Sequence, residues 1–329
     1  MKYFIRKFVW FAVALFVAVL INFTLPRLMP GDPASVLIHQ LGSTMDPSAE
    51  HAIRAAFGGD TDLNLAQQFT AYVGNLLQGN LGISISHYPA GVATVLERAV
   101  PWTLGLVGFA TIISFILGTM LGTEIAWKRE RPLFSGMLMG FLFIRSFPYF
   151  WFGLVLVYFF SFKNPIFPLG GGASSAIVNR ASLEFIGSVI KHGFLPAMTI
   201  AITSAGYWML LMRNNMISVL AEDYVTVAGA KGLSRPRIKY TYAARNAILP
   251  SITGFAMQLG GVIGGSLMTE MVFSYPGVGF MLHQAIQQRD YPLIQGIFLF
   301  VSIATLSANF LADLAILALD PRVRGGGSQ

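Results

Sequence analysis

Six long apolar runs limit what this chain can become, because each is able to cover the hydrocarbon core of a bilayer. At 1.5 Å of rise per residue, about 20 apolar residues span the ~30 Å core as a helix. The first run is Phe8 to Leu25; the others cover about 99–126, 133–160, 192–217, 249–273 and 291–319. Only 11% of the 329 residues are charged, against 54% hydrophobic, too little charge for a soluble surface of this size. Lys2, Arg6 and Lys7 precede the first run as they would in a signal peptide. Asn22-Phe23-Thr24-Leu25-Pro26 offers no small-x-small cleavage site, however, so the run reads as a retained span.

The expected architecture is an all-α membrane protein with six transmembrane helices and both termini in the cytoplasm. Residues 1–29 form the first transmembrane helix, and 30–98 an extracytoplasmic loop region. Residues 99–319 form a five-helix core that includes a cytoplasmic loop at 218–248, and 320–329 form a cytoplasmic tail. Most of the 22 Lys and Arg fall where this topology places cytoplasm: the N-terminus, the turn with Lys128, Arg129 and Arg131, the long loop, and Arg322 with Arg324. Within 30–98, Leu65, Phe69, Tyr72, Val73, Leu76 and Leu77 recur at helical spacing and predict an amphipathic helix over 64–78, closed by Gly79-Asn80-Leu81-Gly82. Its apolar stripe reads as packing against the protein or the membrane surface.

Several chemistries have no sequence support. With no Cys, disulfides and thiolate chemistry are excluded. His39, His51, His87, His192 and His283 are scattered, with no pair at metal-ligand spacing on one helix. The chain has no Gly-x-x-x-x-Gly-Lys-Ser/Thr phosphate loop, so ATP is not bound by that route. Neither Gly-x-Ser-x-Gly nor His-Glu-x-x-His occurs, which leaves an intramembrane hydrolase without a motif.

Ala221 to Pro250 is the longest polar interruption in the second half of the chain, and six Lys or Arg lie between Arg213 and Arg245. Its front predicts a short helix, Glu222 to Lys231, stopped by Gly232 in the left-handed conformation. Pro236 starts a second short helix with apolar faces at Ile238, Tyr242 and Ile248. From the residues alone, this is either a docking surface for a cytoplasmic partner or an ordinary positive-inside loop.

Candidate pathway residues lie in the spans. Gly260, Gly261, Gly264 and Gly265 form two overlapping Gly-x-x-x-Gly pairs, suited to internal packing or to a joint with a second membrane subunit. The same helix sets Gln258, Val262, Ser266 and Glu270 at four-residue spacing, a face expected to line a path; a structural bond is the alternative for Glu270. Arg145 sits about mid-span, where a charge needs a partner: a substrate carboxylate, Glu270, Glu124, or backbone carbonyls at Pro148. Tyr149, Phe150, Trp151 and Trp208 supply aromatic surface for a path, for lipid or for the core.

The basic loop resembles the cytoplasmic loop of ABC-importer membrane subunits, through Ala228, Gly232, Leu249 and Pro250. Thr226 and Val227 stand where that family's Glu and Ala are expected, and the gap from Gly232 to Leu249-Pro250 is longer than in the maltose-type subgroup. Both departures resemble the dipeptide/oligopeptide (peptide/nickel/opine) permease family, and its first, B-type subunit. Asp223-Tyr224-Val225, Ala230-Lys231-Gly232-Leu233 and Arg245-Asn246-Ala247 match it, as do Glu270, Phe273, Pro276-Gly277 with Gly279, Asp290-Tyr291-Pro292 and Asp320-Pro321-Arg322. The dense match covers about 220–322, with weaker similarity elsewhere.

The resemblance implies a transport subunit rather than an enzyme, in a bacterial or archaeal inner membrane. Glu222, Asp223, Tyr224, Ala228, Lys231, Gly232 and Leu233 would form the coupling helix gripped by an ATPase, with Ala228 and Gly232 allowing close approach and Asp223 capping the helix or meeting a basic residue of the motor. The implied partners are a second homologous permease subunit, two ATP-binding subunits holding ATP and Mg, and an extracytoplasmic substrate-binding protein. This chain itself would bind no cofactor, metal or nucleic acid. Short peptides are the first substrate implied, with oligosaccharides, nickel and opines as alternatives. Pro276-Gly277-Val278-Gly279 resembles the family's outer turn or gate, whereas Arg145 departs from the small residue usual at its position. The rival from another class is a secondary transporter or channel. It would need inverted repeats and buried coupling carboxylates; no repeat is evident, and Glu270 and Asp313 are the deep acids of the last two spans.

Overall fold

The structure is a computed structural model that describes residues 2–28, 38, 64–262 and 267–319. Its regular structure is helical: α1 (Lys2–Leu28), α2 (Leu65–Leu77), α3 (Val92–Trp127), α4 (Pro132–Ser146), α5 (Tyr149–Val157), α6 (Leu183–Leu220), α7 (Asp223–Ala230), α8 (Leu249–Gly261), α9 (Leu267–Val272), α10 (Val278–Gln287) and α11 (Tyr291–Leu319). Four described segments are long and apolar enough to cross a membrane: Ile5–Thr24, Val92–Trp127, Leu183–Leu220 and Tyr291–Leu311. Pro132–Ser146 and Tyr149–Lys163 add a fifth if the bent pair is one span.

That pair corrects the single helix expected at 133–160, because the chain turns by 96° at Phe147-Pro148. Proline lacks an N–H and clashes with a helical predecessor. Phe147 accordingly adopts the extended conformation (φ −89°, ψ 152°), and α5 restarts after Pro148 before loosening into a π-helical segment, Tyr158–Lys163. Two spans are longer than expected. α3 begins at Val92, before the start expected at about 99, and Ser182 caps α6 by accepting from the Phe185 N–H at 3.1 Å, ten residues before His192. The stretch expected as the fifth span is α8 followed by α9; Gly264, Gly265 and Ser266 lie outside the described residues, as do most of the 30–63 stretch and Asp320-Pro321-Arg322.

The chain divides into two compact units. One is drawn from Met1–Thr103, Ile263–Leu267 and Pro276–Phe310. Its core joins Val92, Val95, Leu96 and Ala99 of α3 to Val278 and Ala285 of α10 and to Leu293, Ile294 and Ile297 of α11. The stripe of α2 meets α1 through Phe69 and Tyr72, whose rings lie 5.1 and 5.6 Å from Phe23. Asn22 and Gln295 exchange side-chain to backbone hydrogen bonds between α1 and α11 at 2.9 and 3.1 Å. Asp290, wholly buried, is the N-cap of α11: one oxygen accepts from the Leu293 N–H at 3.1 Å. The other accepts from the Ser84 and Ser86 hydroxyls at 2.5 and 2.6 Å and from the Ser86 N–H at 2.8 Å, clasping the segment before α3 onto α11. The helix α10 was not foreseen; only a turn was expected around Pro276-Gly277-Val278-Gly279.

The other unit is drawn from Leu104–Val262, Met268–Tyr275 and Leu311–Gln329. Here α3 and α6 approach at Gly118 and Gly122. A Cβ on Gly122 would lie 2.5 Å from the Met209 carbonyl oxygen, and one on Gly118 would lie 2.7 Å from that of Ala205. Backbones this close leave room for hydrogen alone.

Candidate functional site

The polar loop folds as the spacing of its residues requires. Glu222 is the N-cap residue of α7, in an extended conformation and without a side-chain capping bond. Asp223 therefore does not cap the helix; it stands in the first turn, where its charge suits the positive helix end. At the far end Gly232 takes φ +72°. Its N–H donates to the Gly229 carbonyl at 2.9 Å, and the Leu233 N–H reaches back to the Ala228 carbonyl at 3.3 Å. This is a Schellman closure, which requires a left-handed residue at the position Gly232 fills.

One face of α7 is committed to the chain itself. Val225 and Ala228 are buried, so the small side chain of Ala228 serves packing within the loop and not the approach of another protein. Glu222, Asp223, Tyr224, Val227, Lys231 and Gly232 remain exposed, with Leu233 half-buried. The outer surface of α7 is thus an acidic start, an aromatic and aliphatic middle, and a basic, glycine-ended finish.

After α7 the return leg is not the simple second helix expected from Pro236. Single turns at Arg235–Arg237 and Arg245–Ala247 flank a π-helical segment, Ile238–Ala244, whose widened turns bury Lys239 and Ala243 together. Three contacts fix this leg. Asn246 donates to the Tyr224 hydroxyl at 3.1 Å, tying it to α7, and Asn215 donates to the Ala247 carbonyl at 3.1 Å, tying it to α6. The third is to α3: Lys239 pairs with Glu124, whose carboxylate also accepts from the Tyr240 hydroxyl at 2.9 Å and pairs with Lys128 at 3.0 Å. Burial alone would depress the Lys239 ammonium, but the Glu124 carboxylate and the Tyr240 hydroxyl outweigh it and hold its pKa above the ordinary lysine value. Beneath lie Ala126, Met212, Met216, Ala243 and Ala247.

Glu124 is therefore not the partner of Arg145. The Arg145 guanidinium is exposed in the last turn of α4 and lies 5.2 Å over the Tyr207 ring; neither Glu124 nor Glu270 pairs with it. Tyr149 and Trp151 are exposed, whereas Trp208 is 1% exposed, wedged edge-on between Phe115 and Phe255, and offers no face to a path. The polar face expected along one helix is divided. Gln258 is exposed on α8, Val262 is buried, Ser266 lies outside the described residues, and Glu270 is wholly buried on α9. Next to Glu270, burial and its carboxylate push the Tyr275 phenol up to about 12. Gly261 has open space around it, whereas Gly264 and Gly265 lie outside the described residues. A tight helix contact is made at Gly118 and Gly122, a Gly-x-x-x-Gly pair that the sequence also carries. Lys239 had no such signal, since its partner lies 115 residues away. Among the described residues no group of His, Asp and Glu could hold a metal ion.

Residues 94–325 match the model of the family described as "Binding-protein-dependent transport system inner membrane component". The chain is 34% identical to the di/tripeptide transport system permease protein DppB of Pseudomonas aeruginosa over 319 residues, covering 93% of each chain. It is 31% identical to the oligopeptide transport system permease protein AppB of Bacillus subtilis over 324 residues, covering 98% of each. It is also 31% identical to the dipeptide transport system permease protein DppB of Escherichia coli K12 over 326 residues, covering 93% of each. A run of apolar helices with one capped polar helix on an anchored loop, matched over most of its length, makes this chain a member of the binding-protein-dependent transport system inner membrane components.

Proposed function

We propose that this chain is one of two permease subunits of an ATP-driven importer and, with a second homologous subunit, forms the route by which short peptides cross a bacterial inner membrane. The observation that carries the reading is α7, a capped helix with an exposed outer face, on a loop bonded to two spans. The relatives named above support peptides as the cargo; nothing observed favours oligosaccharides, nickel or opines. In this reading the loop at 218–248 faces the cytoplasm with both termini, and an extracytoplasmic binding protein delivers the peptide.

The energy enters from outside the chain, which has no phosphate-loop motif of its own. Two ATP-binding subunits hold ATP and Mg, and one of them seats α7 through Glu222, Asp223, Tyr224, Lys231, Gly232 and Leu233. When the motors close on ATP they displace α7. The Lys239–Glu124 pair and the Asn215–Ala247 hydrogen bond carry that displacement into α3 and α6, and the spans re-orient. Arg145 with Tyr207, and Tyr149, Trp151 and Gln258, are the candidates for contact with the passing peptide, whereas wholly buried Glu270 takes the structural role.

A substitution at Gly229 tests this best. A side chain there meets nothing within 4 Å and its backbone angle is ordinary, whereas any substitution at Gly232 would strain φ +72°. Gly229→Trp should leave membrane insertion intact, abolish co-purification of the ATP-binding subunits and end peptide uptake. Normal assembly and uptake in that variant would remove α7 from the motor interface.

A further inference from the structure

A cavity of about 700 Å³ opens where α3 and α6 end, and the transport reading gives it no task. Trp127 and Leu220 supply an apolar side, while Lys128, Arg129, Arg131 and Arg235 line the rest against one carboxylate, Glu130. Lys128 is already committed to Glu124 at 3.0 Å, but the three arginines have no ion-pair partner among the described residues. Three like charges around one concavity repel one another until an anion enters.

The charge balance favours an anion. Against the three guanidinium charges stand Glu130 and the C-terminal ends of two helices, each worth about half a negative charge. A net positive charge is left over, the more so because Glu124 is shared between Lys128 and Lys239, and it suits a phosphate oxyanion. Arginine adds geometry to charge, since its planar fork matches two phosphate oxygens at once. The cavity lies at the ends of two apolar spans and has a tryptophan on its wall, features that suit a lipid headgroup.

We propose that this cavity binds the phosphate oxyanion of an anionic glycerophospholipid, with the headgroup against Arg129, Arg131 and Arg235 and the glycerol end against Trp127 and Leu220. A free phosphate ester presents the same oxyanion, but it leaves the apolar side uncovered. Occupancy has a consequence for coupling, because Lys128 lines the cavity and also holds Glu124, the anchor of Lys239. A bound headgroup therefore touches the joint through which the loop moves α3, and the lipid becomes part of the transmission.

Native mass spectrometry of the purified complex, titrated with phosphatidylglycerol or phosphatidylcholine, tests the assignment. Wild type should retain phosphatidylglycerol and release phosphatidylcholine. R129Q/R131Q/R235Q should lower phosphatidylglycerol occupancy by at least about tenfold, given the strength of charge-assisted bonds. Ala221→Trp keeps every charge but fills the cavity that Ala221 lines, and should lose the lipid as well. Equal retention by wild type and both variants overturns the site, and so does loss of the ATP-binding subunits from the triple variant with its lipid unchanged. Displacement of the lipid by sn-glycerol 3-phosphate at equal concentration transfers the site to a free phosphate ester and overturns the lipid assignment.

Discussion

Lys239 carries more of the loop's stability than any other cation in it, because it is the one that the fold buries. Its side chain is 8% exposed and that of Glu124 27%, so the pair is only partly shielded from water. Breaking a fully buried pair costs ~3–5 kcal/mol; here about 2 kcal/mol is expected from Lys239→Met in thermal unfolding. The swap E124K/K239E should recover part of that loss, and a double-mutant cycle measures how much. The sign with pH follows from the raised pKa: the pair's contribution is complete below the unfolded lysine value and is lost as pH climbs through the higher folded one. Wild type should thus lose more stability than Lys239→Met as pH rises past about 10.4. None of this could be read from the residues in order. Glu124 reads in sequence only as one of several possible partners for Arg145, and it is the π-helical turn that brings a lysine from the far side of the chain to it.

At the level of helices, the sequence was informative wherever one physical rule acted alone. Apolar length marked α1, α3, α6 and α11, periodicity marked α2, and Gly232 marked the end of α7. Legibility failed where two rules competed. Pro148 sits inside an apolar run, and its steric demand on Phe147 prevailed over the run's continuity. The starts expected near 99 and 192 fall inside helices, since α3 begins at Val92 and α6 at Leu183. Among the glycines, the overlapping pairs at 260–265 stand out in sequence because they are denser, but Gly118 and Gly122 also lie against a neighbouring backbone. Gly122→Ala should therefore force α3 from α6 and cost about 1–3 kcal/mol in thermal unfolding, the usual range for overpacking. Gly261→Ala, with open space around it, should leave the isolated chain unchanged. Equal losses in the two variants would remove the close contact from α3 and α6.

For the molecule as a whole, the expectation is dependence on others. Purified and placed alone in sealed vesicles, the chain should accumulate no peptide against a gradient; uphill uptake without any ATP-hydrolysing companion would return it to the class of self-sufficient transporters. The bend at Phe147-Pro148 bears on the same dependence. Its two arms have 15 residues each, α4 on one side and α5 with its π-helical extension on the other. Each arm is about 22 Å long, short of the ~30 Å of a hydrocarbon core. An elbow of this kind strands peptide dipoles at membrane depth, where hydrocarbon cannot solvate them. Water or protein must cover that corner, and in the proposed complex a neighbouring subunit would supply part of that cover.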